Sequence, residues 1–152
     1  MVDYCNMEAI RALVTEVQGG YRKLAAMRPT DRIPMLSHTY DYCTPRDARV
    51  AGISGPWFYT AFKRFKIPEE DWIALSKSLL NQLADGILAL QGEREDAIPN
   101  FHVVKTLGVL QMAELGTTGD SNDWLNEVHP NSKGYEKLGA EFTDTIKRLL
   151  GG

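Results

Sequence analysis

Cysteine is scarce in this chain, which has two, Cys5 and Cys43. A disulfide scaffold would need more cysteines, and a zinc site would need them closely paired. Two distant cysteines are typical of free thiols, although a single Cys5–Cys43 disulfide also fits the sequence. The chain also lacks metal-ligand spacing, a phosphate-binding loop and a dinucleotide-binding fingerprint. We therefore expect neither a metal ion nor a cofactor.

Long apolar runs and a strong net charge are also missing. No run approaches the roughly 18–20 apolar residues that span a bilayer, and the N-terminus lacks the basic-then-apolar pattern of a signal peptide. We expect a soluble protein without a membrane span, which is cytoplasmic if this N-terminus is authentic. The formal net charge of −3 argues against nucleic acid as a partner, because phosphate binding needs a clustered basic face.

The length and composition are those of an ordinary globular domain. The 152 residues are 43% hydrophobic and 24% charged, so the sequence predicts one domain over 1–152 that buries its own core. Apolar residues recur at steps of three and four in long segments, which indicates amphipathic helices. The predicted helices cover residues 7–27, 57–65, 68–90 and 134–150.

Two short apolar segments, 33–40 and 101–104, predict buried strands, and 41–56 predicts a long loop. Strands separated by helices imply parallel pairing and an α/β fold. Two parallel strands alone leave both sheet edges open. The chain is therefore part of a larger sheet, or copies of it complete each other's sheets, or it is a helix-dominated unit. We expect a homo-oligomer rather than a stable monomer.

One histidine stands in a setting that suits catalysis. In Trp124-Leu-Asn-Glu-Val-His129-Pro130 the histidine precedes a proline and a predicted helix, which Asn131 or Ser132 can cap. Partial positive charge at a helix N-terminus favours a neutral imidazole, and a neutral imidazole can act as a general base. The alternative for a single histidine is a local hydrogen bond in a turn.

This histidine segment resembles the last motif block of the SGNH (GDSL-type) ester hydrolases. Ser37-His-Thr-Tyr-Asp-Tyr-Cys-Thr-Pro45, Gly55-Pro-Trp57 and the segment 101–110 are similar to other blocks of the same branch, so the resemblance covers most of 30–150. It implies a partial flavodoxin-like, three-layer fold without its first half. The implied substrate is a carboxylic ester or a small acylated lipid.

The resemblance also implies roles for individual residues. His129 would be the general base and then the general acid, and Asp123 or Asn126 would orient it. The residues implied to contact the substrate are His38, Tyr40, Trp57 and Trp124. Where the family often has aspartate this chain has Asn126, which can orient an imidazole but brings no charge to an imidazolium. Asp123 or Glu127 is the alternative source of that carboxylate.

The nucleophile is where the chain departs from the family, which carries it in an N-terminal Gly-Asp-Ser block. Here that tripeptide occurs only at 119–121, eight residues before His129, in a predicted loop. The family's glycine and Gly-x-Asn-Asp oxyanion blocks are absent. Ser121 is the candidate nucleophile, with Ser54 and Ser37 behind it, although a chance tripeptide fits the loop setting better.

Three functions therefore remain open from the sequence. The chain is an ester hydrolase whose nucleophile is non-standard or comes from another chain. Alternatively, it is a truncated remnant that folds without catalysing, because nucleophile and oxyanion donors supply much of the rate enhancement. The third alternative is an interaction module whose open sheet edges pair with another chain.

Overall fold

The computed structural model describes residues 4–50 and 55–151, so Ser54 lies outside the described residues. Four helices and two strands follow one another in the predicted order, and a short 3-10 turn, Glu69–Asp71, precedes the third helix. The elements are α1 (Met7–Ala26), β1 (Met35–His38), α2 (Phe58–Arg64), α3 (Trp72–Leu88), β2 (Phe101–Val104) and α4 (Ser132–Leu150).

The two strands form a parallel sheet, which confirms the predicted pairing and the α/β class. The register runs from Met35 opposite Phe101 to His38 opposite Val104. β1 begins later than the sequence predicts, because Ile33 belongs to a turn in which its N–H donates to Thr30 O. Pro34 follows without an N–H, so ladder hydrogen bonds start only at Met35.

Helices lie against both faces of this sheet. On one face Tyr21 of α1 packs edge-on against Phe101, with ring centroids 5.5 Å apart, and α1 also contacts α3. On the other face Phe142 of α4 packs against His38 at 5.8 Å. Because side chains alternate along a strand, Ser37 points toward α1, where its hydroxyl donates to Tyr21 Oη at 2.6 Å.

Local hydrogen bonds explain where the two longest helices begin. Asn6 Oδ1 accepts from the N–H groups of Glu8 and Ala9 at the start of α1. Asn131 Oδ1 accepts from Gly134 N at 3.0 Å at the start of α4, so of the two predicted capping residues Asn131 is the one that caps. No helix in the described ranges combines the length and apolar character needed to cross a lipid bilayer.

The core lies mainly beside α3 and beneath the loops that follow the strands. α1 contributes no fully buried residue and α4 contributes only Gly134. One buried cluster lies directly under the loop that carries His129, and a second lies between the sheet, α1 and α3. The first cluster consists of Cys43, Leu80, Leu110, Ala113 and Trp124. Both cysteines are free thiols in the structure, and Cys43 is fully buried.

The two edges of the sheet differ. Met35 N donates to Asn100 O and Thr39 N to Val104 O, so the alternate residues Leu36 and His38 direct their backbone groups away from β2. Within 4–50 and 55–151 no backbone partner meets them. On the outer edge of β2, the side chain of Gln91 accepts from Val103 N at 3.0 Å. The edge of β1 is therefore the open one.

Candidate functional site

The segment 119–131 folds back on itself and carries His129 on a compact loop. Ser121 and Trp124 exchange two backbone hydrogen bonds of 2.9 and 3.0 Å, and Leu125 N donates to His129 O at 2.9 Å. Asn131 N donates to Asp123 O at 2.9 Å, which connects the loop to the start of α4. His129 therefore sits between a closed turn and a capped helix.

Asn126 orients the ring of His129. Its Oδ1 accepts from the backbone N–H groups of Val128 at 3.1 Å and His129 at 2.9 Å, so this atom is the carbonyl oxygen and not the amide nitrogen. The same oxygen lies 3.1 Å from His129 Nδ1, which must therefore be the protonated ring nitrogen. The neutral ring keeps its lone pair on Nε2, the state that a general base or acceptor requires.

Arg46 holds the loop from inside the protein. This residue is only 1% exposed, and its guanidinium donates to three backbone carbonyls of the loop and to two oxygens of Thr117 just before it. The Nη2–Asn126 O hydrogen bond is 2.7 Å long, so Arg46 fixes the residue that orients His129. Burial lowers the pKa of Arg46, and the charges of Asp120 and Glu127 oppose that effect. The other acceptors are the carbonyls of Thr117, Gly119 and Trp124 and the hydroxyl of Thr117.

Glu127 connects the same loop to α2. It is fully buried, and its carboxylate accepts from the N–H groups of Trp57, of Phe58 at 3.0 Å and of Tyr59 at 2.7 Å. A fourth donor is Arg46 N at 3.3 Å. Burial raises the pKa of Glu127, and these N–H donors act in the opposite direction. Its role is structural, because every contact of the carboxylate is with a backbone N–H.

Asp123 does not contact His129 in the structure. Its carboxylate accepts from Lys137 Nζ at 2.5 Å and from Gln111 N at 2.7 Å. Burial raises its pKa, but the Lys137 hydrogen bond, the Gln111 N–H and the nearby lysine charges outweigh burial, so the pKa is lowered overall. Of the two residues implied to orient His129, only Asn126 reaches it.

A small cavity of about 180 Å³ opens beside His129 and brings several of the predicted residues together. His38, Tyr40 and Trp124 line it with His129. The remaining lining side chains are mostly apolar, and no lysine or arginine is among those described. They belong to Asp41, Leu110, Val128, Pro130, Tyr135 and Leu138.

Tyr40 connects the end of β1 to the histidine loop. Its backbone adopts φ +64°, a left-handed conformation that is uncommon for a large side chain and that often marks functional sites. Its N–H donates to His38 Nδ1 at 3.1 Å, and its hydroxyl donates to Val128 O. Because Nδ1 of His38 accepts, the neutral ring carries its proton on Nε2. Burial lowers the pKa of His38.

Asp41 also faces the cavity, but its oxygens are occupied. The carboxylate accepts from Tyr42 N at 2.6 Å, Gly108 N at 2.5 Å and Leu110 N at 2.7 Å. Burial raises the pKa of Asp41, and these backbone donors oppose the rise. Asp41 therefore closes the loop after β2 and leaves little hydrogen-bonding capacity for a ligand.

The remaining predicted residues lie around the cavity and do not line it. Trp57 is 45% exposed and packs edge-on against His129, with ring centroids 6.2 Å apart. Ser121 lines an open groove with Pro130 and Asn131 on the neighbouring surface, and its Oγ accepts from Glu114 N at 3.0 Å. No group of three or more potential metal-ligating side chains occurs in the part of the chain that the structure describes.

Two buried polar residues that shape the site, Arg46 and Asp41, were not among the predicted site residues, and Glu127 was expected only as a possible carboxylate for His129. Their partners lie far away in the sequence, and Arg46 N and Glu127 are 81 residues apart. The local signal in the sequence was the position of two charged residues, with Glu127 inside the resembling segment Trp124–Pro130 and Arg46 directly after the segment Ser37–Pro45.

Comparison with protein-family models, with curated proteins and with solved structures gave no match.

Proposed function

We propose that this chain is an ester hydrolase of the SGNH type, with a partial flavodoxin-like arrangement, in which His129 is the general base. The observation that carries the proposal is the oriented ring of His129. Asn126 Oδ1 accepts from Nδ1, which leaves the lone pair of Nε2 available, and the ring borders a small apolar cavity. Ligand sites are typically concave and mostly apolar with a few polar groups.

The chemistry follows from this ring geometry. Nε2 of His129 takes the proton of a nucleophilic hydroxyl while that oxygen forms a bond to the carbonyl carbon of the ester. The imidazolium returns the proton to the alcohol oxygen as the bond from that oxygen to the acyl carbon breaks. Water then attacks the acyl-enzyme with His129 again as the base, and this step releases the acid and the free hydroxyl.

Asn126 and Arg46 keep the ring of His129 oriented during this cycle, but neither supplies a negative charge that would stabilise the imidazolium. In serine triads, replacing the carboxylate by an amide lowers the rate by about 10⁴-fold, whereas Cys-His-Asn sites work with the amide. We therefore expect slow turnover. Burial keeps Asn126 in place, because it is 3% exposed and its backbone carbonyl accepts from Arg46.

Ser121 is the serine of this chain that we propose as nucleophile. It belongs to the same hydrogen-bonded loop as His129, and the hydrogen bond that its Oγ accepts from Glu114 N leaves its own proton free to donate. Ser37 is less suitable because its hydroxyl donates to Tyr21 on the α1 face of the sheet, whereas His38 points to the α4 face.

A serine-reactive fluorophosphonate tests this assignment. We expect mass spectrometry to find the label on Ser121 in the wild-type protein, no label in Ser121→Ala, and slower labelling in His129→Ala. Ser132→Ala is the matched control, because Ser132 lines the same surface groove and has no proposed role. Labelling that persists in Ser121→Ala would assign the nucleophile elsewhere, and a folded protein that is never labelled would refute catalysis by a serine of this chain.

A second candidate function is assembly without catalysis, and the open edge of β1 favours it. The backbone groups of Leu36 and His38 have no partner within the described residues, and exposed strand edges pair readily with another chain. If β1 of a second copy paired antiparallel with this edge about a two-fold axis at Ser37, Leu36 of each copy would lie opposite His38 of the other. Sedimentation velocity should then show a dimer that Leu36→Pro converts to a monomer. A wild-type monomer at all concentrations would exclude this function.

A further inference from the structure

One buried hydrogen-bond donor beside His129 has no partner. Trp124 is 1% exposed and lines the cavity, and its indole Nε1–H meets no acceptor among the described residues. Buried donors are nearly always paired in native proteins, and an unpaired one carries a desolvation penalty. Among the described cavity-lining residues, it is the one buried side-chain donor left in this state.

Several other polar groups around the cavity are already occupied. Tyr40 donates its hydroxyl to Val128 O, His38 Nδ1 accepts from Tyr40 N, and Asp41 accepts three backbone N–H groups. A ligand that entered would therefore find the buried indole donor of Trp124, the Nε2–H of His38 and the Nε2 acceptor of His129 between mostly apolar walls. The hydroxyl of the exposed Tyr135 is a further polar group of the lining. That pattern suits a molecule with one exposed acceptor oxygen.

The charge of the lining and the volume of the cavity restrict the kind of ligand further. The described lining contains no cationic lysine or arginine, while the Asp41 carboxylate lies in the wall, so an anionic ligand would be repelled. The volume of about 180 Å³ corresponds to about six water molecules at liquid density. An uncharged group of up to about six carbons fits this space, because a cavity of about 150 Å³ holds benzene, and a long fatty acyl chain does not.

We propose that this cavity binds the acyl group of a short, uncharged ester, and that the indole N–H of Trp124 donates to its carbonyl oxygen. The assignment of an ester rests on the proposed function. Leu110, Val128 and Leu138 contact the acyl chain, and His129 borders the carbonyl end. Trp124 thereby selects a carbonyl-bearing ligand, and the small volume of the cavity selects a short one.

Methyl ketones test whether the cavity binds an acyl group, and they do so without hydrolysis. They carry the carbonyl and the alkyl chain of the acyl group but no ester bond to cleave. The tryptophan indole resonances are followed by heteronuclear NMR, and Trp124→Phe assigns the signal of Trp124. Methyl propyl ketone should shift that signal saturably, and methyl nonyl ketone should leave it unchanged. The apparent Kd for methyl propyl ketone should be about 3- to 10-fold weaker in Trp124→Phe, which loses one hydrogen bond.

Leu138→Phe is the second variant, because it fills the cavity from α4 without removing the indole. It should abolish ketone binding while the Trp124 signal remains. If Trp124→Phe does not fold, the loss of binding in Leu138→Phe is the test of whether the ketone occupies this cavity. A Trp124 signal that no ketone moves, which is also the result expected for a trapped water, would overturn the proposal. Equal binding by Trp124→Phe or by the long ketone would overturn it as well. Ketone binding without any ester hydrolysis would instead refute the proposed function and leave the cavity assignment standing.

Discussion

Oδ1 of Asn126 lies 3.1 Å from Nδ1 of His129 and 2.9 Å from the backbone nitrogen of the same residue. One amide oxygen thus fixes both the backbone and the ring of the histidine. Because Oδ1 can only accept, it also fixes the tautomer and leaves Nε2 unprotonated. The ring of His129 is therefore oriented without a carboxylate.

Asn126→Asp should strengthen this arrangement. The carboxylate keeps all three hydrogen bonds of Oδ1 and adds a negative charge that stabilises the imidazolium. We expect ester hydrolysis to rise at least about 10-fold, within the difference of about 10⁴-fold known for such exchanges. Asn126→Ala, which removes the acceptor, is the control and should lower the rate. Rates that are the same in Asn126→Asp, Asn126→Ala and the wild type would contradict the orienting role of Asn126.

Glu127→Gln should destabilise the protein although it preserves size. The glutamate accepts from four backbone N–H groups, and the amide NH₂ of glutamine would face donors with no acceptor to offer. We expect a loss of about 1.5–3 kcal/mol in the free energy of unfolding, measured with urea. Glu136→Gln on the exposed side of α4 is the matched control and should change it by less than about 0.5 kcal/mol. Equal effects at the two positions would show that the buried contacts contribute nothing.

Two glycines of α4 should respond to alanine in opposite directions. A Cβ at Gly134 would lie 2.4 Å from Asp123 O and 2.8 Å from Pro130 Cβ, so the helix start would move away from the histidine loop. We expect Gly134→Ala to lose about 1–3 kcal/mol of stability. A Cβ at Gly139 meets nothing within 4 Å, so Gly139→Ala should gain about 0.5–1 kcal/mol. Thermal unfolding of both variants measures this, and a neutral Gly134→Ala would refute the close packing of α4 on the loop.

Acidification should destabilise the protein through His38. Burial holds its pKa below the ordinary value of 6.5, and its Nδ1 accepts from Tyr40 N, a bond that protonation of Nδ1 would break. Below about pH 6.5 the unfolded chain therefore binds more protons at this position than the native state, and stability falls as the pH falls toward the native pKa.

Urea unfolding at about pH 7.5 and pH 5.5 measures this loss. The loss should be smaller in His38→Gln than in the wild type, whereas His102→Gln should behave as the wild type. The same pH dependence in His38→Gln and the wild type would rule out His38 as the group responsible.

The helices and the strand pairing were predictable because their signals are local. Periodic apolar residues located α1 and α4 within a few residues of their observed bounds, and the helix–strand alternation predicted the parallel pairing of β1 with β2. Gly19 and Gly20 do not interrupt α1, which runs from Met7 to Ala26.

The buried polar framework was not predictable in the same way. Arg46 and Glu127 act on backbone atoms that only the folded chain brings near, up to 81 residues away. The pairing of Asp123 with Lys137 was missed for a simpler reason. Its proximity in sequence to His129 suggested a contact, but the turn at 121–124 directs its carboxylate toward α4. The Asn126–His129 contact is local, since an asparagine side chain often bonds backbone N–H groups two or three residues on.

The most direct measurement is the hydrolysis of a short-chain chromogenic ester by the wild type and by His129→Ala, with His102→Ala as the matched control. His102 lies in β2, and its ring contacts Asn100, outside the cavity. We expect turnover by the wild type and by His102→Ala, and a loss of about 10²- to 10⁴-fold in His129→Ala. Folded wild-type protein without turnover, or equal turnover by all three, would contradict the proposal that His129 is a catalytic base.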